Sequence, residues 1–248
     1  MGSVRLMINT VLGRETVLDF DILGTRLRLA VESRREIRRA HATSKEVDFI
    51  GRMFESLEEG DVIYDVGANI GLISLLLAGH PKGRTSPVHA FEPEPKNFAQ
   101  LQKNIAENGW VDRIVPHRLA LGEQAGEVEL FVRGGPGEGR HSTVSSKGST
   151  GSIGVRIDTA SAFATSTGVP PDLMKIDVEG AEGRVLAGME GLLRQRHPRE
   201  LFMELHPMGD ADRMPDGTPI ADWLDARGYH RVWEADHRHR RHCHYRAA

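Results

Sequence analysis

The sequence predicts an α/β domain built on a parallel, doubly wound sheet, and three observations lead there. From residue 61 onward, short apolar runs of strand length (62–66, 88–91, 114–117, 173–177 and 201–206) alternate with segments of helical period. At 60–71 the sequence GDVIYDVGANIG reads as a strand that ends in a glycine turn and opens a helix. The chain has 248 residues, 39% of them hydrophobic, enough for one large core without disulfides.

Taken in order, residues 15–32 alternate apolar and polar side chains around a Leu-Gly-Thr break, the pattern of a β-hairpin. A basic run at 34–39 follows, read as a solvated helix face or, less simply, as a contact for an anionic ligand. A helix is expected from 69 to 78. In the next, near 96–107, Phe98, Leu101 and Ile105 share one face and Gly109 closes the end. Residues 128–132 read as a strand, and the helix after 177 should bury Val185, Met189 and Leu192. A short helix is expected over 219–227, closed by Gly228. Residues 133–154 hold seven glycines and few apolar side chains, so a flexible loop with no packed element is expected there. The His- and Arg-rich C-terminus reads as a terminal strand, with a metal-binding tail as the alternative. Residues 1–44 then form a hairpin-and-helix extension ahead of a main domain at 45–248.

Composition narrows the function. A net charge of -3 disfavours general attraction to nucleic acid or anionic membrane. The single cysteine, Cys243, excludes an intramolecular disulfide framework and a Cys-based zinc cluster. The longest apolar stretch, 71–79, is about half the length of a membrane span. The first ten residues carry no signal-peptide core, so a cytoplasmic location is expected.

The chemistry concentrates at 60–71. The glycines there, Gly67 and Gly71, follow G-x-x-x-G and lack the G-x-G-x-x-G spacing that cradles a pyrophosphate. Asp65, just before the turn, suits a ligand with an ammonium or sulfonium charge. Glu92, at the end of the next strand, stands where an acid can take both ribose hydroxyls. A nucleoside with a cationic, amino-acid-like end is the expected ligand, a description that fits S-adenosylmethionine.

These segments, with HAFEPEPKNFAQLQKNIAENG, LALGE and LMKIDVEGAEGRVLAGMEGLL, resemble the FkbM-type S-adenosylmethionine-dependent methyltransferases over about residues 45–206. The resemblance implies a Rossmann-like class I methyltransferase: a seven-stranded, mostly parallel sheet ending in an antiparallel hairpin. It implies that Asp65, Gly67 and Asn69 line the methionine end of the cofactor, with Gly71 in the same turn. Glu92 would then bind ribose and Ala120 would lie near adenine. Members typically methylate hydroxyl groups, often on sugars or polyketides.

The acceptor hydroxyl needs alignment and a route for its proton. Asp177 and Glu204, each at a strand end on the same sheet edge, are a candidate pair for a hard divalent cation, magnesium. The alternative leaves Asp177 to orient ligand and Glu204 to pair with an arginine. Catechol-type methyltransferases, which this pair is similar to, carry a lysine base three residues after the first acid; here that position is Gly180. The base is therefore sought among His141, His206 and Glu179. The expected activity is O-methyl transfer to a sugar or polysaccharide precursor, with a small molecule or oligosaccharide as partner and a homodimer through the N-terminal hairpin. The competing readings are a nicotinamide (NAD)-dependent oxidoreductase on a similar sheet, a polyketide methyltransferase, and a non-catalytic domain that keeps the fold.

Overall fold

The computed structural model describes residues 4–12, 15–43, 46–133, 140–142, 151–206, 212–237 and 240–248. The chain opens with strands β1 (Val4–Leu12), β2 (Glu15–Ile22) and β3 (Thr25–Val31), which form one antiparallel sheet in that order. The expected hairpin is thus β2–β3, with one further strand on its edge. Helices α1 (Arg34–Thr43) and α2 (Val47–Ser56) lead into the main layer.

That layer runs through β4 (Ile63–Val66), α3 (Leu72–Gly79), a 3-10 turn at Pro81–Thr85, β5 (Val88–Phe91), α4 (Pro95–Glu107) and β6 (Ile114–His117). Next come β7 (Ala120–Leu121), β8 (Gly126–Arg133), β9 (Arg140–Ser142), β10 (Gly151–Asp158) and α5 (Ala160–Thr167). The chain continues as β11 (Leu173–Ile176), α6 (Glu182–Ala187), α7 (Glu190–Leu193) and β12 (Glu200–Leu205). It closes with α8 (Ile220–Asp225), β13 (Tyr229–His237) and β14 (Arg240–Ala247). The main sheet has seven strands in the order β13-β14-β12-β11-β4-β5-β6, parallel from β12 to β6 and antiparallel through β14 and β13. Both the doubly wound sheet and its terminal hairpin match the sequence expectation, and the His/Arg-rich C-terminus is a strand.

Two expectations need correction. Helix α3 starts at Leu72 and not near Asn69, because Asn69 (φ 54°) and Gly71 (φ 96°) are left-handed and hold the turn open until then. The glycine-rich stretch is not wholly without packed elements. Its edges form β9 and β10, which join β7 and β8 in a second sheet of order β7-β10-β8-β9. In β10 the alternation of Ile153, Val155 and Ile157 puts one face onto Leu130 and Ala120. The flexibility expected between those edges falls on 134–139 and 143–150, outside the described residues.

The core has two halves. Strand β3, helices α2, α3 and α4 and the N-terminal sheet share one cluster, while α5, α6, α7 and α8 cover the other face of the main sheet. The N-terminal sheet is joined by polar contacts as well: Asn104 Oδ1 accepts from the Ala30 N–H at 2.7 Å, and Gln100 Nε2 donates to the Ala30 carbonyl at 2.6 Å. Among the described residues no helix is long and apolar enough to cross a membrane.

Beneath α5, His89 of β5 and His117 of β6 stack, with Nδ1 and Nε2 3.0 Å apart, against Tyr64, Phe91 and Phe163. Burial pushes both imidazoles below their ordinary pKa, and His117, with His89 beside it, falls to about 4. Between pH 6.5 and 4 the unfolded chain therefore binds protons that the folded chain refuses. Stability from this pair is complete above the unfolded pKa and is lost as pH falls through that window, by about 1–2 kcal/mol after solvent screening. Denaturant midpoints measured across this range should fall less steeply in His117→Gln than in the parent; identical slopes would refute the assignment.

Candidate active site

Strand β4 ends against the strand on either side of it. The N–H groups of Gly67 and Ala68 both donate to the Phe91 carbonyl, at 3.0 and 2.9 Å. On the other side the turn presses on β11: a Cβ on Gly67 would lie 1.9 Å from the Asp177 carbonyl oxygen, and Gly67 itself has φ 77°. Only glycine fits there. Gly71 is constrained differently, since its Cβ would meet Leu101 Cδ1 of α4 at 2.6 Å. Gly71 packs helices together and does not face the pocket.

A pocket opens at the carboxyl ends of β4, β5 and β11. Gly67, Asn69, Glu92, Ala120, Asp177 and Glu179 all line it. A second, slightly smaller chamber adjoins it, sharing Gly67, Asn69 and Asp177 and roofed by Glu36 and Ala40 of α1. The Glu92 carboxylate is fixed by two backbone donors, Asn69 N–H and Glu94 N–H, each at 2.9 Å. Of the six residues expected around the cofactor, Gly67, Asn69, Glu92 and Ala120 line the larger chamber, and Gly71 and Asp65 do not.

Asp65 does not line the pocket. It is fully buried, receives Ser74 Oγ–H at 2.6 Å, and pairs with Lys175 Nζ at 3.0 Å. Its carboxylate points toward α3, so it does not present a negative charge to a ligand. Lys175 also donates to the Gly67 carbonyl at 3.1 Å and lies 3.8 Å from Asp177 Oδ2. Burial alone would depress this ammonium, but Asp65 and then Asp177 outweigh it and hold its pKa above the ordinary value. The pair braces the turn from below. Sequence reasoning missed Lys175, although a lysine in the otherwise apolar strand LMKI needs a buried partner and could have been flagged on that ground. It also missed Asn97, whose buried Oδ1 has no hydrogen-bond partner and which lines the pocket.

The acids at the ends of β11 and β12 meet at His206. Its Nδ1 lies 3.1 Å from Glu182 Oε1, and its Nε2 lies 3.2 Å from Glu204 Oε1, 3.4 Å from Glu179 Oε2 and 3.7 Å from Asp177 Oδ1. Burial works to lower the pKa of this imidazole, but the bonds to Glu182 and Glu204 and the charges of Asp177 and Glu179 raise it to about 11. With no metal ion bound, these carboxylates favour the protonated imidazole, which argues against the expected role as base. Glu204 takes Arg240 Nη1 and, at 3.3 Å, His242 Nε2, and these partners with His206 hold it ionised well below the usual carboxylate range despite burial. Glu204 thus makes the arginine pairing of the alternative reading. Glu179 stays at the pocket wall in a left-handed conformation, φ 52°. The backbone of His141 lies in β9, and its side chain is outside the described residues.

Fold and pocket together define a Rossmann-like class I methyltransferase. The chain belongs to the FkbM methyltransferase family: residues 65–231 match the family model described as the methyltransferase FkbM domain. It is 30% identical over 175 residues to the hexuronic acid methyltransferase AglP of Haloferax volcanii, across 70% of this chain and 69% of that protein. It is also 30% identical over 184 residues to the 31-O-demethyl-FK506 methyltransferase FkbM of Streptomyces tacrolimicus, across 62% of this chain and 69% of that one. The solved structure of methyltransferase FkbM from Methylobacillus flagellatus shares the fold at a TM-score of 0.51 and 16% identity, covering 86% of this chain. This chain spans 55% of that longer one.

Proposed function

We propose that the protein transfers a methyl group from S-adenosylmethionine to a hydroxyl of a sugar or polysaccharide precursor. The observation that carries the cofactor is Glu92, a carboxylate locked by two backbone N–H groups beside the Gly67 turn at the pocket wall, the position at which an acid takes the two ribose hydroxyls. The absence of a phosphate-cradling glycine pattern in this turn and the family assignment set aside the nicotinamide reading. A carbohydrate acceptor is favoured by the hexuronic acid relative, and a polyketide hydroxyl is the second reading, favoured by the FK506 relative.

Ribose and adenine occupy the chamber walled by Glu92, Phe91 and Ala120, and the methionine end reaches over Gly67 toward the chamber under α1. The sulfonium is an excellent leaving group, so the protein must mainly align the acceptor and receive its proton. With His206 protonated, the proton passes to the Glu179 carboxylate at the pocket wall. Radiolabelled methyl transfer to a panel of neutral sugars, uronic acids and polyketide alcohols tests the reading; transfer to none of them would overturn it. Glu92→Ala, checked for folding by circular dichroism, should weaken binding of S-adenosylhomocysteine by about 100-fold or more, two hydrogen bonds to a charged acceptor being removed. Unchanged affinity by calorimetry would place the cofactor elsewhere.

A further inference from the structure

We infer that Asp177, Glu179 and His206 form a site for one divalent transition ion of the manganese-to-zinc kind. One ligand atom from each lies within 4.8 Å of the others. Proximity alone is weak ground, since acidic clusters are common. The orientation of His206 supplies the second, independent argument.

His206 is 6% exposed. Its Nδ1 faces the carboxylate of Glu182, itself fully buried and fixed by the Gly180 N–H at 3.0 Å. The other ring nitrogen, Nε2, is thereby aimed at the oxygens of Asp177, Glu179 and Glu204. Nε2 and Asp177 Oδ1 are both buried and make no directed hydrogen bond. A divalent ion bound here would replace the Nε2 proton and take one oxygen from each of Asp177 and Glu179. Imidazole on one side and a carboxylate behind its other nitrogen is also how metal-bound histidines are oriented. Of the nearby cations, Arg240 is bonded to Glu204, and Lys175 is bonded to Asp65 and reaches only the other Asp177 oxygen, Oδ2, at 3.8 Å.

The donor set decides the ion. Two carboxylates and one imidazole nitrogen suit manganese, iron, cobalt or zinc better than magnesium, which takes oxygen ligands. Asp177 and Glu179 also line the larger chamber, so remaining coordination positions would face the acceptor. Ligation through one oxygen leaves the second oxygen of Glu179 for the acceptor's proton. The role at the acceptor rests on the methyltransferase reading, but metal binding itself does not.

The test uses the full chain, stripped with a chelator and titrated with Mn2+ while the free-ion signal is followed by electron paramagnetic resonance. One Mn2+ per chain should be taken up and should resist displacement by equimolar Mg2+. His206→Gln and Asp177→Asn should each abolish uptake, and Glu182→Gln should weaken it about 10–100-fold. Asp177, with 16% of its side chain exposed, is the substitution least prone to unfold the protein. No saturable uptake by the folded parent, or equal uptake by the Asp177 and His206 variants, would mean that a proton holds the position and would overturn the site. Easy displacement by Mg2+ would overturn the choice of ion. S-adenosylhomocysteine titrated in parallel separates the two claims. Cofactor binding without Mn2+ uptake sinks only the metal site, and uptake without cofactor binding sinks only the methyltransferase reading.

Discussion

Lys175→Met is expected to lower the free energy of unfolding by about 3–5 kcal/mol, the usual cost of stranding one partner of a buried ion pair. The partner here is Asp65, wholly inaccessible to water, with only the Ser74 hydroxyl left to it. The Gly67 carbonyl would lose its donor in the same step. The double variant Asp65→Asn/Lys175→Met removes both charges and should recover much of the loss, because the attraction within a buried pair roughly offsets the desolvation of its members. Urea denaturation of the parent, both single variants and the double variant closes the cycle. Additive losses would show that the two residues do not act on each other.

The second large effect concerns turnover. Glu179→Gln should reduce kcat by about 10²–10⁴, the range for losing a positioned proton acceptor, while binding of S-adenosylhomocysteine stays near that of the parent. Glu179 meets the pocket wall, but the cofactor's ribose contact belongs to Glu92 on the far strand. A variant that keeps full turnover would remove Glu179 from the chemistry. One that loses cofactor affinity instead would move it to the methionine end.

How much of this was legible beforehand depends on the range of the interaction. The strand order follows from local patterning: LMKI and IYDV are short apolar runs, and repeated crossovers of one hand leave few topologies. The turn was readable because Gly67 and Gly71 mark backbone that other residues cannot adopt. Partnerships across strands were not. Asp65 looked like a ligand for a cation because its actual cation, Lys175, lies 110 residues away in the chain and beside it only in the sheet. Glu204 looked like half of a metal pair, whereas Arg240 and His242 reach it from β14, an antiparallel neighbour whose register the sequence does not set. His206 was a reasonable base by intrinsic pKa, and the four carboxylates that raise its affinity for a proton or a metal ion gather around it only in the fold.

The three-stranded sheet at the start of the chain precedes the residues that the family model matches, which begin at residue 65. Yet Leu18, Phe20, Ile22 and Leu29 belong to the same apolar cluster as Ile63 and Leu76, and α1 roofs the chamber next to the glycine turn. The smallest autonomous folding unit is thus larger than the residues that the family model matches. Trimming to the homology boundary would strip one flank of the interior, yielding an aggregating fragment in place of a minimal enzyme.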